Sequence, residues 1–300
     1  MTSRTSQTTQ LDLFNDSGAV VYANDALAAL HKRDATRAAD CIRRIIDEEP
    51  GYCTLGALQT LCQAVQDWPF PCSNPMELAE AIRRLEVQVQ PAAESLMRGE
   101  AVNFIRPYWL ELANAAGSQV YDAAFPQSFC AGLYIRCEDG LSAIKAVESV
   151  PNWEGIPDLL HLLCLARYRV GGFNGCQSVL MRLAFLSPQR LSDTINGMGD
   201  AQIRKDWIAF KSGFDWLDPD DETMGAWFPV WYLLEHTDSP FAADAMPVLA
   251  TAAVRVFELL TRIIKLEKNG LSTALVSLRK QLRGLDQNVF ADYMARRSAN

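Results

Sequence analysis

The chain has 300 residues, enough for one large domain or two ordinary ones, and its 49% hydrophobic and 21% charged content is that of a folded globular protein. General disorder, a collagen-like repeat and a disulfide miniprotein are excluded. With 28 Lys+Arg against 36 Asp+Glu the net charge is −8, the wrong sign for a protein that coats nucleic acid, although residues 248–300 are locally basic.

Residues 1–17 read as a flexible amino-terminal segment. The stretch from Thr2 to Gln10 is Ser, Thr and Gln with one Arg, and has no apolar segment of the signal-peptide kind. It leads into Gln10-Leu11-Asp12-Leu13-Phe14. This pentapeptide resembles the Gln-Leu-(Ser/Asp)-Leu-Phe motif by which bacterial replication and repair proteins dock on the DNA polymerase sliding clamp, and all five positions match. The resemblance implies that the Gln amide bonds backbone groups at a pocket rim while Leu13 and Phe14 fill an apolar cleft. The competing reading makes Leu11, Leu13 and Phe14 the first apolar residues of the fold, stapled under the first helix before Asn15-Asp16-Ser17.

From Gly18 onward apolar residues recur at three and four positions, which predicts an all-α protein. Val20–Arg33 and the stretch opened by Asp34 predict two short helices ended by Pro50-Gly51, with Ala38, Cys41, Ile42, Ile45 and Ile46 on one face of the second. Trp68–Pro75, with prolines at 69, 71 and 75, predicts a loop. Turns at Arg98-Gly99-Glu100 and Glu138-Asp139-Gly140 are followed by helical patterns. Asp158–Val170 and Cys176–Leu186 predict a second helix pair around Gly171-Gly172. Helical hairpins are therefore expected over 18–190, and a carboxy-terminal helical region packed on them over 191–300, entered through Gly197 and Gly199. That region holds a long helix at about 247–269, apolar around most of its circumference and so buried by the repeats or by another subunit, and a final helix from about Leu271.

The hairpin layout resembles the tetratricopeptide-repeat (TPR) family. The resemblance lies in Ala26-Leu27-Ala28-Ala29-Leu30 followed by Asp34 and Ala38, in Ala166-Arg167-Tyr168 followed by Gly171-Gly172-Phe173, and in the spacing from Pro151 to Pro188. It implies a solenoid of antiparallel helix hairpins, in which each unit buries its apolar stripe against its neighbours.

A second candidate interaction surface is the aromatic and acidic stretch at 207–232. It carries Trp207, Trp216, Trp227 and Trp231 with Asp218, Asp220 and Asp221, and reads either as an exposed patch for a basic partner or as a core with an acidic loop. A calcium loop counted from Asp220 fails, because Trp231 stands where the bidentate Glu belongs. Catalytic signatures are weak. His31, His161 and His236 form no metal-ligand spacing, His161 and Cys164 are one turn apart on an apolar helix, and there is no GxSxG, P-loop or dinucleotide fingerprint. The eight cysteines form no CxxC pair and read as reduced thiols. The sequence therefore predicts a cytoplasmic, cofactor-free and metal-free interaction scaffold with protein partners, among them the sliding clamp, and no direct contact with nucleic acid or membrane. The alternatives are an enzyme or ligand sensor with a pocket between the two regions, and an assembly subunit forming a homodimer through helix 247–269.

Overall fold

The protein is seen as a computed structural model that describes residues 18–117, 119–214, 217, 223–237, 250–268, 270 and 273–298. Among the described residues all regular structure is helical, and no helix is long and apolar enough to cross a membrane. The chain divides into two compact units between Cys137 and Glu138. The expected boundary near residue 190 falls within the second of them, at the turn Pro188–Arg190.

The first unit opens with α1 (Gly18–His31) and α2 (Ala35–Glu48), which pack against each other across a tight turn. Arg33 takes a left-handed backbone (φ 59°), and Asp34 then caps α2 by accepting the Arg37 N–H at 3.0 Å. Such a cap contributes about 1 kcal/mol. Helix α3 (Leu55–Gln66) packs on both. The predicted loop follows, and Asn74 caps α4 (Pro75–Arg84). A single π-helical turn, Leu85–Val89, connects α4 to α5 (Gln90–Met97), and α6 (Ala101–Ala116) and α7 (Cys130–Arg136) complete the unit. Its core is leucine-rich: Leu58, Leu61, Leu78, Leu85 and Leu112 are buried. Arg33 ties the first hairpin to α6. Its guanidinium lies 4.0 Å from the Tyr108 ring centroid and donates to the Phe104 carbonyl at 2.6 Å, which joins residues far apart in the sequence.

The second unit begins with α8 (Gly140–Glu148), capped by Asp139 and packed on α9 (Pro157–Leu186). Gly140 is required by close approach, since a Cβ there would stand 2.8 Å from Val170 Cγ2 and 3.0 Å from the Ala166 carbonyl. Helix α9 reverses within itself. Gly171 and Gly172 leave helical backbone, with Gly172 at φ 62°. A Cβ on Gly175 would lie 3.1 Å from the carbonyl of Arg167. Residues eight apart in a straight helix would be about 12 Å apart, so the two limbs form the hairpin predicted around Gly171-Gly172.

Helices α10 (Leu191–Met198), α11 (Ala201–Gly213), α12 (Phe228–Glu235), α13 (Ala252–Lys268), α14 (Thr273–Leu285) and α15 (Gln287–Ser298) then pack successively on one another. The final helix expected from Leu271 is two, because Asp286 leaves helical register and accepts the Val289 N–H at 2.9 Å as a new cap. Val256, Phe257, Leu260, Ile263 and Ile264 of α13 are buried within the chain, with α12 and α14 packed on that helix. The apolar stripe read as a dimer contact thus serves this chain's own core.

One register recurs three times. Seven positions before Arg33, Glu138 and Gly171 stand Ala26, Ala131 and Cys164, and five positions after stand Ala38, Ala143 and Cys176. All six are 0% exposed. Arg33 and Glu138 share left-handed backbone (φ 59° and 62°) before an Asp cap. In the first hairpin and in α9 small side chains at these places let the paired helical segments approach closely, and Pro50 and Pro188 both lie seventeen positions beyond their turns.

Candidate binding groove

A concavity of about 650 Å³ on the first unit is built by four-residue spacing on two helices. Glu86, Gln90, Glu94 and Arg98 follow one another at i, i+4 down the π-helical turn and α5, and form a polar wall. Ala101, Ile105 and Trp109 repeat the same interval on α6 and form a buried apolar floor. Helix α7 supplies Arg136, whose guanidinium lies 4.9 Å from the Trp109 ring centroid and pairs with Glu86. Gln90 donates to Glu94 at 2.8 Å. Val102, 54% exposed, stands at the groove's edge. Arg98 holds a left-handed backbone (φ 46°), which turns the chain from α5 into α6 and places its exposed side chain at the rim. A π-helical turn is a feature often retained at working sites. Among the described residues no Cys or His lines the groove, which offers an apolar floor for a side chain, with both signs of charge along the wall.

Gln10, Leu11, Asp12, Leu13 and Phe14 lie outside the described residues, as do Trp216, Asp218, Asp220 and Asp221. Trp207 and Trp231 are buried, and Trp227 is half-buried. Trp207 stacks on Phe210 at 5.3 Å and meets Phe228 edge-on at 5.5 Å, while Trp231 stacks on Phe228 at 6.0 Å. These two indoles fill the core of the second unit instead of offering rings to a partner.

The His161–Cys164 pair is not assembled as nucleophile and base. Burial raises the Cys164 thiol well above its ordinary value and pushes Cys176 up to about 12, so both stay protonated and unreactive. His161 turns to α10, where Nδ1 lies 2.7 Å from Thr194 Oγ1. That hydroxyl donates its proton to the Arg190 carbonyl at 2.9 Å, so the imidazole must donate from Nδ1. Desolvation lowers the His161 pKa, the Arg190 charge lowers it further, and Asp193 and Asp158 oppose the shift. A histidine with a depressed folded pKa contributes stability above its unfolded pKa of about 6.5 and loses it as pH falls through the folded value. Denaturant midpoints should therefore drop between neutral and mildly acidic pH, and His161→Asn, which keeps a donor toward Thr194 but cannot titrate, should show a shallower drop. Parallel pH profiles would assign the effect to other groups.

Among the described residues no group of His, Cys, Asp and Glu is placed to hold a metal ion. The groove was missed in the sequence because its two walls come from separate helices; the i, i+4 run from Glu86 to Arg98 was the one available signal. Comparison of the chain with protein-family models, curated proteins and solved structures finds no match.

Proposed function

We propose that the protein is a non-catalytic interaction scaffold of the TPR-like helical-hairpin type, recruited to a bacterial sliding clamp through Gln10–Phe14 as a replication or repair accessory factor. The observation that carries the scaffold reading is the recurrent register, in which three turns are flanked at the same offsets by six fully buried small residues. Repeated hairpins serve to present extended surfaces. The groove of α5 and α6 supports this reading, since its apolar floor and charged wall suit a segment of a partner protein. Clamp recruitment rests on the five matching residues, and an acidic chain held at DNA by another protein needs no phosphate contacts of its own.

The test is titration of purified clamp with the full chain by calorimetry. Micromolar binding is expected, reduced at least about tenfold, equivalent to about 1.4 kcal/mol, by the double substitution Gln10→Ala, Phe14→Ala with the helical circular dichroism unchanged. Absence of binding by the wild type would remove the clamp from the proposal.

A further inference from the structure

A second cavity of the first unit, about 390 Å³, has a composition that selects the charge of its ligand. Its walls include Tyr121, Phe125 and Phe129. Tyr121 and Phe129 meet edge-on at 5.1 Å, and Phe125 is 40% exposed at the mouth. Asp122 lines the same cavity, and no Lys, Arg or His does among the described residues. At its floor the Ser128 hydroxyl, in a residue 6% exposed, is buried without a hydrogen-bond partner.

The amino terminus of α4 also borders the cavity, but it offers nothing to an anion. The Met76 and Glu77 N–H groups are taken by Asn74 Oδ1 at 3.1 and 2.9 Å, and the Ser73 N–H by Glu77 Oε2 at 2.9 Å. Pro75 has no N–H. The Glu77 carboxylate, held at this helix start, offsets the positive end of the dipole. The cavity is thus lined by three aromatic rings, the Asp122 carboxylate and Ser128 with its buried, unpartnered hydroxyl, beside the neutral side chains of Ser73, Asn74 and Gln119. Ring faces and a carboxylate attract an organic cation, and the hydroxyl favours one that carries N–H.

We propose that this cavity binds an alkylammonium group, either of a free amine or of a lysine side chain. The proposal is independent of clamp binding and of the groove between α5 and α6. Its test is nuclear magnetic resonance titration of the full chain with n-butylammonium, with butyrate and tetramethylammonium as comparisons. Saturable shifts confined to residues near 119–129 are expected with n-butylammonium and not with butyrate. Asp122→Asn keeps the oxygen that accepts the Ala124 N–H at 2.8 Å, so the turn is retained while the charge is lost. It should weaken butylammonium binding about tenfold, equivalent to about 1.4 kcal/mol. Ser128→Ala should weaken butylammonium more than tetramethylammonium, which has no N–H to give. Tighter binding of a blocked Gly-Lys-Gly peptide than of butylammonium would assign the cation to a partner protein, and equal binding to a free amine. No saturable shift, equal response to butyrate, or an unchanged affinity in Asp122→Asn with the spectrum of the fold intact would overturn the proposal.

Discussion

Phe228→Ala should cost about 3–5 kcal/mol of stability, the range for truncating a fully buried aromatic side chain. Phe228 is 0% exposed at the start of α12. Its ring meets Trp207 and Phe210 edge-on, both at 5.5 Å, and lies 6.0 Å from Trp231 and 5.9 Å from Tyr232. These neighbours come from α11 and α12, and their large flat rings cannot close over the space a lost phenyl leaves. Ile208, on the opposite side of α11 and 59% exposed, is the control: Ile208→Ala should change stability by less than about 0.5 kcal/mol. Urea denaturation followed by tryptophan fluorescence separates the two. A loss below about 1 kcal/mol for Phe228→Ala would mean that the rings repack or that the cluster is looser than its distances imply.

The second large effect should come from one carboxylate near the carboxy terminus. Glu267 of α13 is 13% exposed in its side chain and is shared by three partners. Oε1 accepts Arg279 Nη2 at 2.7 Å and the Tyr293 hydroxyl, and Oε2 pairs with Arg297. Arg279 Nε also donates to that Tyr293 oxygen at 2.8 Å. The cluster thus binds α13, α14 and α15 through a single acid. Burial is the main reason the Tyr293 pKa is raised, and the proximity of Glu267 adds to it. The hydroxyl therefore stays a donor throughout the physiological range. Glu267→Gln keeps the shape but leaves two arginines without their counter-charge, and it should cost about 1.5–3 kcal/mol, the range for hydrogen bonds to charged groups. The arginines are each 30% exposed, so solvent screening holds the effect below that of a fully buried pair. A double-mutant cycle with Tyr293→Phe should show coupling between the two sites. Strict additivity would place the hydroxyl outside the network.

The helical class and the hairpin turns were legible in the sequence because they rest on local chemistry. Asp34 after a polar turn, the face Ala38-Cys41-Ile42-Ile45, and Pro50-Gly51 specify the first pair without help from the rest of the chain. Gly171-Gly172 did the same for the two limbs of α9. The division into units was not legible. It falls just before the turn Glu138-Asp139-Gly140, whose Asp cap repeats that of the turn inside the first hairpin and so marks no boundary, whereas the glycines at 197 and 199 drew it elsewhere. The break at Asp286 was missed because Gly284 and Leu285 continue a helical pattern and only the cap reveals the stop. Neither the groove nor the aromatic cavity was visible. Each depends on which faces of separate segments meet, and periodicity says only that a face exists.

Within each unit, helices are packed largely against their neighbours in chain order. Each helix that docks closes only a short loop, so little chain entropy is lost before apolar surface is buried. The consequence is kinetic: contacts made largely between neighbours in the sequence favour fast folding of each unit for its length.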